Sequence, residues 1–193
     1  MRLHHYAGTL AAAGMFMVVS AAHGEEEHRQ LGSHVHGHGT LAIAIEGNNV
    51  QMELVAPGMD IVGFEHETET ARQKKAVEAA LADLKEPLKL FVLPQATGCT
   101  VTSTDVKLVA EEHEDHQAAQ DADKTAETDE HEDGHSEFRA TYALACADAS
   151  LLRLIHFAFF ERFRDSEELG VTIIDANGET TAEVSRQAPS LEN

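Results

Sequence analysis

Residues 111–137 constrain the fold more than any other part of this sequence. They hold twelve Asp or Glu, four His and one Lys, with hardly an apolar side chain among them. Such a segment cannot bury enough apolar surface to offset the conformational entropy that it would lose on ordering. We therefore predict that it is a disordered or metal-ordered insertion within a single domain.

The N-terminal residues are typical of a secretory signal peptide. Arg2 precedes an uncharged apolar run over residues 7–19, and Ser20 and Ala22 are small residues placed for a cut after Ala22. The run is short for a membrane span, and no later segment approaches the roughly 20 apolar residues that a span needs. We expect residues 1–22 to be removed and residues 23–193 to be exported. An uncleaved membrane anchor is the alternative that the small-residue site disfavours.

Export determines how the two cysteines, Cys99 and Cys146, are interpreted. In an oxidising compartment the simplest use of such a pair is one disulfide. The bond would close a long loop around the insertion, for which the chain-entropy model gives about 4 kcal/mol at most. Thiolate metal ligands are the alternative, but the spacing contains no close CxxC pair.

Local patterns predict a hairpin and a helix. Residues 41–45 and 50–54 alternate between apolar and other side chains on either side of a Gly-Asn-Asn turn, which indicates a β-hairpin. Thr70 and Gln73 form a candidate capping box, so we expect an amphipathic helix over residues 71–85.

The remaining ordered segments favour an α+β fold. Further strands are predicted over residues 88–93, 99–109, 138–146, 171–175 and 179–184, the last two joined by an Asn-Gly turn. Residues 150–164 fit either a helix or a buried strand at 151–156, and periodicity alone does not decide between them. We therefore expect a small antiparallel β-sheet domain with one or two helices.

Charge indicates the class of ligand. The chain carries 34 acidic against 14 basic side chains, a net charge of −20, together with 13 His. A protein that binds nucleic acid needs clustered Lys and Arg to displace counterions, so this charge excludes that class. Its electric field attracts cations, and imidazole nitrogens bind transition metals.

Three alternating histidines, His34, His36 and His38, precede the first strand. On an extended backbone they share one face, with successive residues roughly 6.5 to 7 Å apart, so that two imidazoles can reach one ion. Gly37 and Gly39 leave the backbone free to bend around a site. A solvated strand edge without a specific ligand is the alternative.

A second candidate lies in the loop between the hairpin and the helix, and it consists of Asp60, Glu65, His66 and Glu67. Zinc accepts imidazole and carboxylate together in a four-coordinate site. We predict that His66 completes a site begun by His34 and His36. The alternative is an acidic loop stabilised by the helix macrodipole, which leaves His66 unexplained.

The insertion supplies a third candidate. Its histidines form two pairs with carboxylates nearby: His113 with His116, and His131 with His135. Ordering a flexible chain takes back part of the binding energy, so we expect weak capture of metal there. An acidic solubilising linker is the alternative.

The order of these pieces resembles the zinc-regulated periplasmic proteins of the ZrgA type. The likeness is carried by residues 34–39 leading into a Leu-Ala-Ile-Ala-Ile strand, by residues 56–58 and 61–66, by the Cys99 and Cys146 strands, and by residues 160–163. The resemblance implies a bacterial periplasmic zinc-binding protein, made when zinc is scarce, that assists uptake alongside a transporter.

We therefore expect a non-enzymatic periplasmic protein that captures Zn²⁺ and assists zinc uptake or homeostasis. The expected partners are zinc ions and a zinc ABC transporter or its solute-binding protein, with no nucleic acid and no membrane span after signal cleavage. A small zinc-dependent hydrolase with Glu65 as base is one alternative. A copper or nickel buffer protein is another, because both metals bind imidazole well.

Overall fold

A computed structural model describes residues 36–110 and 135–193. These residues belong to one compact unit, Ser33–Asn193. The predicted signal peptide, His34, and most of the insertion with His113, His116 and His131 lie outside the described residues. None of the described helices is long and apolar enough to cross a membrane.

Two β-sheets and four short helices make up the described fold. The main sheet has the order β4-β5-β2-β1-β7-β8, and a small sheet has the order β3-β6-β9. The strands are β1 His38–Glu46, β2 Asn49–Pro57, β3 Phe91–Val92, β4 Thr100–Ala110, β5 Ser136–Ala145, β6 Leu154–Phe157, β7 Glu168–Asp175, β8 Gly178–Ser185 and β9 Ser190–Glu192. The helices are α1 Gly58–Val62, α2 Ala71–Leu84, α3 Pro87–Leu90 and α4 Phe159–Arg162, with 3₁₀ turns at Gln95–Thr97 and Ala149–Leu151.

The core lies on one face of the main sheet. Strand side chains alternate between the two faces, so Leu41 and Ile43 of β1 are buried while Ala42 and Ala44 are exposed. Phenylalanine rings pack against this buried face and against each other at centroid separations of 4.9 to 6.4 Å: Phe91, Phe157, Phe159, Phe160 and Phe163. A small number of aromatic residues is therefore enough to fill this part of the core, because they are concentrated in one cluster.

The local predictions are confirmed. The first hairpin is β1 and β2, and the Asn-Gly turn joins β7 and β8. Helix α2 begins at the predicted capping box, in which the Thr70 side chain accepts from the backbone N–H of Gln73. Cys99 and Cys146 form a disulfide.

The structure corrects one predicted strand, decides between two alternatives for another segment and refines the predicted fold class. The first half of the strand predicted over residues 88–93 belongs to helix α3, because Pro87 occupies the first helical turn, and only Phe91–Val92 are in a strand. For residues 150–164, which fit either a helix or a strand, the structure has strand β6, Leu154–Phe157, followed by the one-turn helix α4, Phe159–Arg162. The predicted α+β fold is confirmed, with the addition that the main sheet is mixed: β1 pairs with β7 in parallel, while all its other pairs are antiparallel.

The C-terminal boundary of the predicted insertion is also displaced. Ser136 and Glu137 belong to β5, and Ala110 at the end of β4 pairs directly with Ser136. Glu137 is held in the sheet because it pairs with Pro57 of β2 as well as with β4. The two points where residues 111–134 join the described fold are therefore adjacent.

Arg186 holds together the segment before β7. Its guanidinium donates to the carbonyl oxygens of Phe160, Phe163, Arg164 and Ser166. A planar fork with five N–H donors suits this task, and a Lys ammonium does not.

We expect Arg186→Lys to lower the free energy of unfolding by about 1.5 to 3 kcal/mol, because buried carbonyls lose their donors. Urea denaturation of residues 23–193 measures this change. Arg153→Lys, at an exposed position, is the control and should stay within about 0.5 kcal/mol of wild type. Equal stability of the two variants would contradict the assigned role.

Candidate metal centre

Four strand ends meet at one end of the main sheet. There β2 ends at Pro57, opposite Glu137 at the start of β5, and β1 begins at His38, opposite Glu168 at the start of β7. The antiparallel and parallel pairings together therefore gather residues that are far apart in sequence. His36 lies just before β1, and His135 just before β5.

Glu65 is the centre of a cluster at this end. Its Oε2 lies 2.6 Å from Nδ1 of His135 and 3.3 Å from Nε2 of His36. An ionised carboxylate only accepts hydrogen bonds, so each facing ring nitrogen carries a proton. The side chain of Glu65 is only 9% exposed, and its Oε1 is buried without a hydrogen-bond partner among the described residues.

A tight reversal after β2 brings Glu65 to this position. Helix α1 is a single turn that ends at Gly63, whose φ of 81° is left-handed and whose N–H donates to the Met59 carbonyl at 3.0 Å. Gly58 makes the close approach possible, since an added Cβ would lie 2.7 Å from Oγ of Ser136. The chain therefore folds back from β2 directly over the start of β5.

Asp60 lies beneath the turn that carries the first histidines. Its Oδ1 accepts from the backbone N–H of Gly37 at 2.7 Å, and the residue is 1% exposed. Its Oδ2 is buried and has no hydrogen-bond partner in the described part of the chain. Burial raises the pKa of Asp60 above its usual value, against the opposing effect of the Gly37 N–H and of nearby His36.

The pKa of Glu65 shifts in the opposite direction. Burial by itself acts to raise that pKa, but the hydrogen bonds from His135 and His36 together outweigh burial, and the pKa lies below its usual range. Glu65 is therefore an ionised carboxylate at neutral pH. Its charge is directed at two imidazole rings.

The other predicted ligands that the structure describes do not contact this cluster through a hydrogen bond or ion pair. His38 places Nδ1 3.2 Å from Oε1 of Glu168, across the parallel β1–β7 pair. His66 is exposed, and its Nδ1 donates to the Glu67 carbonyl at 2.8 Å. His34, His113, His116 and His131 lie outside the described residues, so their roles stay predictions.

The sequence marked His135 and Asp60 as candidates, but it did not predict that His135 meets His36 at Glu65 or that Asp60 holds the turn after His36. His135 was placed in the insertion, although the alternating strand that begins almost directly after it indicates where order resumes. Asp60 contacts Gly37, 23 residues away. No local pattern marks such a contact.

The chemistry of the donors fits zinc. Among residues 36–110 and 135–193, no three or more His, Cys, Asp or Glu side chains are already arranged to hold a metal ion. However, two imidazoles and a carboxylate are typical zinc ligands, and donors around tetrahedral zinc lie about 3.3 Å apart. The buried oxygens Glu65 Oε1 and Asp60 Oδ2, unpartnered among the described residues, provide negative potential that a cation would satisfy.

Comparison with known proteins agrees with this chemistry. No curated protein matches the chain. The family model described as a ZrgA family zinc uptake protein matches residues 33–193, which include every described element of the fold. The chain therefore belongs to the ZrgA family of zinc uptake proteins.

Proposed function

We propose that this protein captures Zn²⁺ in the periplasm and passes it to the uptake system that its family serves. His36, Glu65 and His135 are the proposed ligands on the folded domain. One observation carries this assignment: two imidazole nitrogens face one oxygen of the largely buried Glu65 side chain, at 2.6 and 3.3 Å.

In the metal-free protein, protons on the facing nitrogens of His36 and His135 occupy the positions where zinc would bind. Each imidazole donates a proton to Glu65 through the facing nitrogen, and zinc would bind that nitrogen only after the proton has left or has moved to the other ring nitrogen. Metal binding therefore releases a proton from each imidazole that is doubly protonated beforehand. The three side chains already contact one another through Glu65, and we expect them to rearrange locally to surround an ion.

Exposure favours exchange of the ion over permanent retention. The side chains of His36 and His135 are 56% and 51% exposed, while Glu65 is 9% exposed. An ion here would rest on a buried carboxylate and remain open to solvent on the side of the imidazoles. Such a site suits a protein that takes up zinc and gives it up to a transporter or to its solute-binding protein.

The insertion is attached at the same end of the sheet. Residues 111–134 leave after Ala110 and return at His135, itself a proposed ligand. We assign weak zinc capture to His113, His116 and His131, since a tethered segment raises the local concentration of its cargo near the centre. We assign no catalytic role to Glu65, because it is occupied by its two imidazoles.

Zinc titration calorimetry of residues 23–193 tests the assignment through Glu65→Gln. The amide keeps the shape of the side chain but removes the charge that a metal needs, so the tightest affinity should fall by at least about tenfold. Glu46→Gln is the control, because Glu46 is an exposed residue at the opposite end of β1. An unchanged tight affinity in Glu65→Gln would place the site elsewhere.

A further inference from the structure

We propose that Asp60 is a positioning residue of the zinc centre: it fixes the turn that carries His36, and its buried charge is balanced only when a cation binds. This inference rests on the proposed function. It adds to the centre a carboxylate that need not contact the metal.

The first part of the inference concerns the turn. Asp60 Oδ1 receives the N–H of Gly37, while the carbonyl of Gly37 receives the N–H groups of Glu167 and Glu168 at 2.9 and 2.8 Å. The peptide groups on both sides of Gly37 are therefore held, and its φ of 86° keeps the chain in a left-handed bend. Because His36 shares the peptide bond that Asp60 holds, the direction of its ring depends on Asp60.

The second part concerns charge. Asp60 is 1% exposed, and its Oδ2 is buried without a hydrogen-bond partner among the described residues. The described titratable groups that act on it are His36, His38 and Glu65. No Lys or Arg is among them. A buried carboxylate without a fixed cationic partner is costly, and a metal ion between the imidazoles and Glu65 would supply the missing positive charge.

A purely structural role for Asp60 makes a different prediction. A buried Asp that only accepts a backbone N–H stabilises the fold, so replacing it would lower stability and leave the metal ligands otherwise intact. In the proposed role, the charge destabilises the metal-free protein and strengthens zinc binding. Removing the charge should therefore raise the stability of the metal-free protein and lower its affinity for zinc.

The Asp60→Asn variant separates these roles, because the amide oxygen can still accept from Gly37 while the charge is lost. In residues 23–193 we expect zinc affinity to fall by at least about tenfold. We expect the melting temperature of the metal-free protein to rise by about 2 to 4 °C. Asp148→Asn is the matched control, since Asp148 also accepts a backbone N–H, that of Ser150 at 3.0 Å, in the 3₁₀ turn at Ala149–Leu151. It should leave zinc affinity unchanged.

Glu65→Gln and Gly37→Ala complete the experiment. Gly37→Ala keeps the charge of Asp60 but strains the left-handed turn, so its zinc affinity should also fall. The inference is overturned if Asp60→Asn binds zinc within about twofold of wild type, if its metal-free melting temperature falls, or if Gly37→Ala binds as wild type does. When these results accompany a loss of binding in Glu65→Gln, the proposed centre stands and only the role of Asp60 is wrong. Unchanged binding in Glu65→Gln overturns both.

Discussion

Deletion of residues 111–134 is expected to lower the number of zinc ions bound per molecule and to leave the tightest affinity nearly unchanged. The reason is that His135, Glu65 and His36 all remain, while His113, His116 and His131 are lost. Ala110 and Ser136 are paired, and paired strands lie only about 5 Å apart, so a Gly-Asn or Asn-Gly dipeptide placed between Ala110 and His135 can close the loop. Calorimetry of the deleted and the complete chain, both from residue 23, measures stoichiometry and affinity together.

His135→Ala in the deleted chain should then remove the tight site. Partners that merely support metal ligands change affinity by about 10- to 100-fold, so loss of a proposed ligand should cost at least as much. His156→Ala in the same background is the control, because His156 lies on the small sheet and contacts Oγ of Ser190 at 3.1 Å. If the deletion alone abolished tight binding, the insertion would hold the tight site and our division of roles would be reversed.

The parts of this fold that the sequence predicts are those with local causes. The β1–β2 hairpin follows from alternation on both sides of a turn, and helix α2 follows from a capping box of two residues three positions apart. The disulfide follows from the count of two cysteines in a chain that the sequence predicts to be exported. Each of these inferences uses residues close together, or a pair without alternatives.

The parts that were missed depend on pairing between distant segments. Nothing in the residues of β1 indicates that β7, about 130 positions later, would pair with it in parallel. The same holds for the centre, where Glu65 and His135 are 70 residues apart. From composition, His135 was predicted to lie in the insertion. Its position is instead fixed by the largely buried strand β5, which begins at the next residue.

The pH dependence of zinc retention tests which side chains bind the ion. Imidazole binds metal only when the binding nitrogen is unprotonated, and its ordinary pKa is near 6.5. In the chain lacking residues 111–134, we therefore expect zinc retention to fall steeply between about pH 7 and pH 5. Two imidazoles give two competing protons, so the decline should be steeper than that of a single titrating group. Equilibrium dialysis against buffers of stepped pH measures the retained zinc.

Unfolding should not cause this release, because the carboxylate at the centre titrates at lower pH. The pKa of Glu65 is depressed below its usual 4.5 by its hydrogen bonds to His135 and His36, which outweigh burial. A group with a depressed folded-state pKa contributes stability that is fully present above the unfolded value and is lost only as pH falls through the folded value. Circular dichroism at pH 5 should therefore show a folded protein that has released its metal.

His36→Ala provides the internal comparison. With one imidazole fewer, the variant should bind zinc more weakly at pH 7, and the pH dependence of the zinc that remains should be shallower, because one competing proton has been removed. Carboxylates stay ionised to about pH 4, so a site made mainly of Asp and Glu would retain zinc down to that range. Zinc retention that stayed constant down to pH 4.5, with His36→Ala indistinguishable from wild type, would mean that carboxylates bind the ion and that the imidazoles around Glu65 are not ligands.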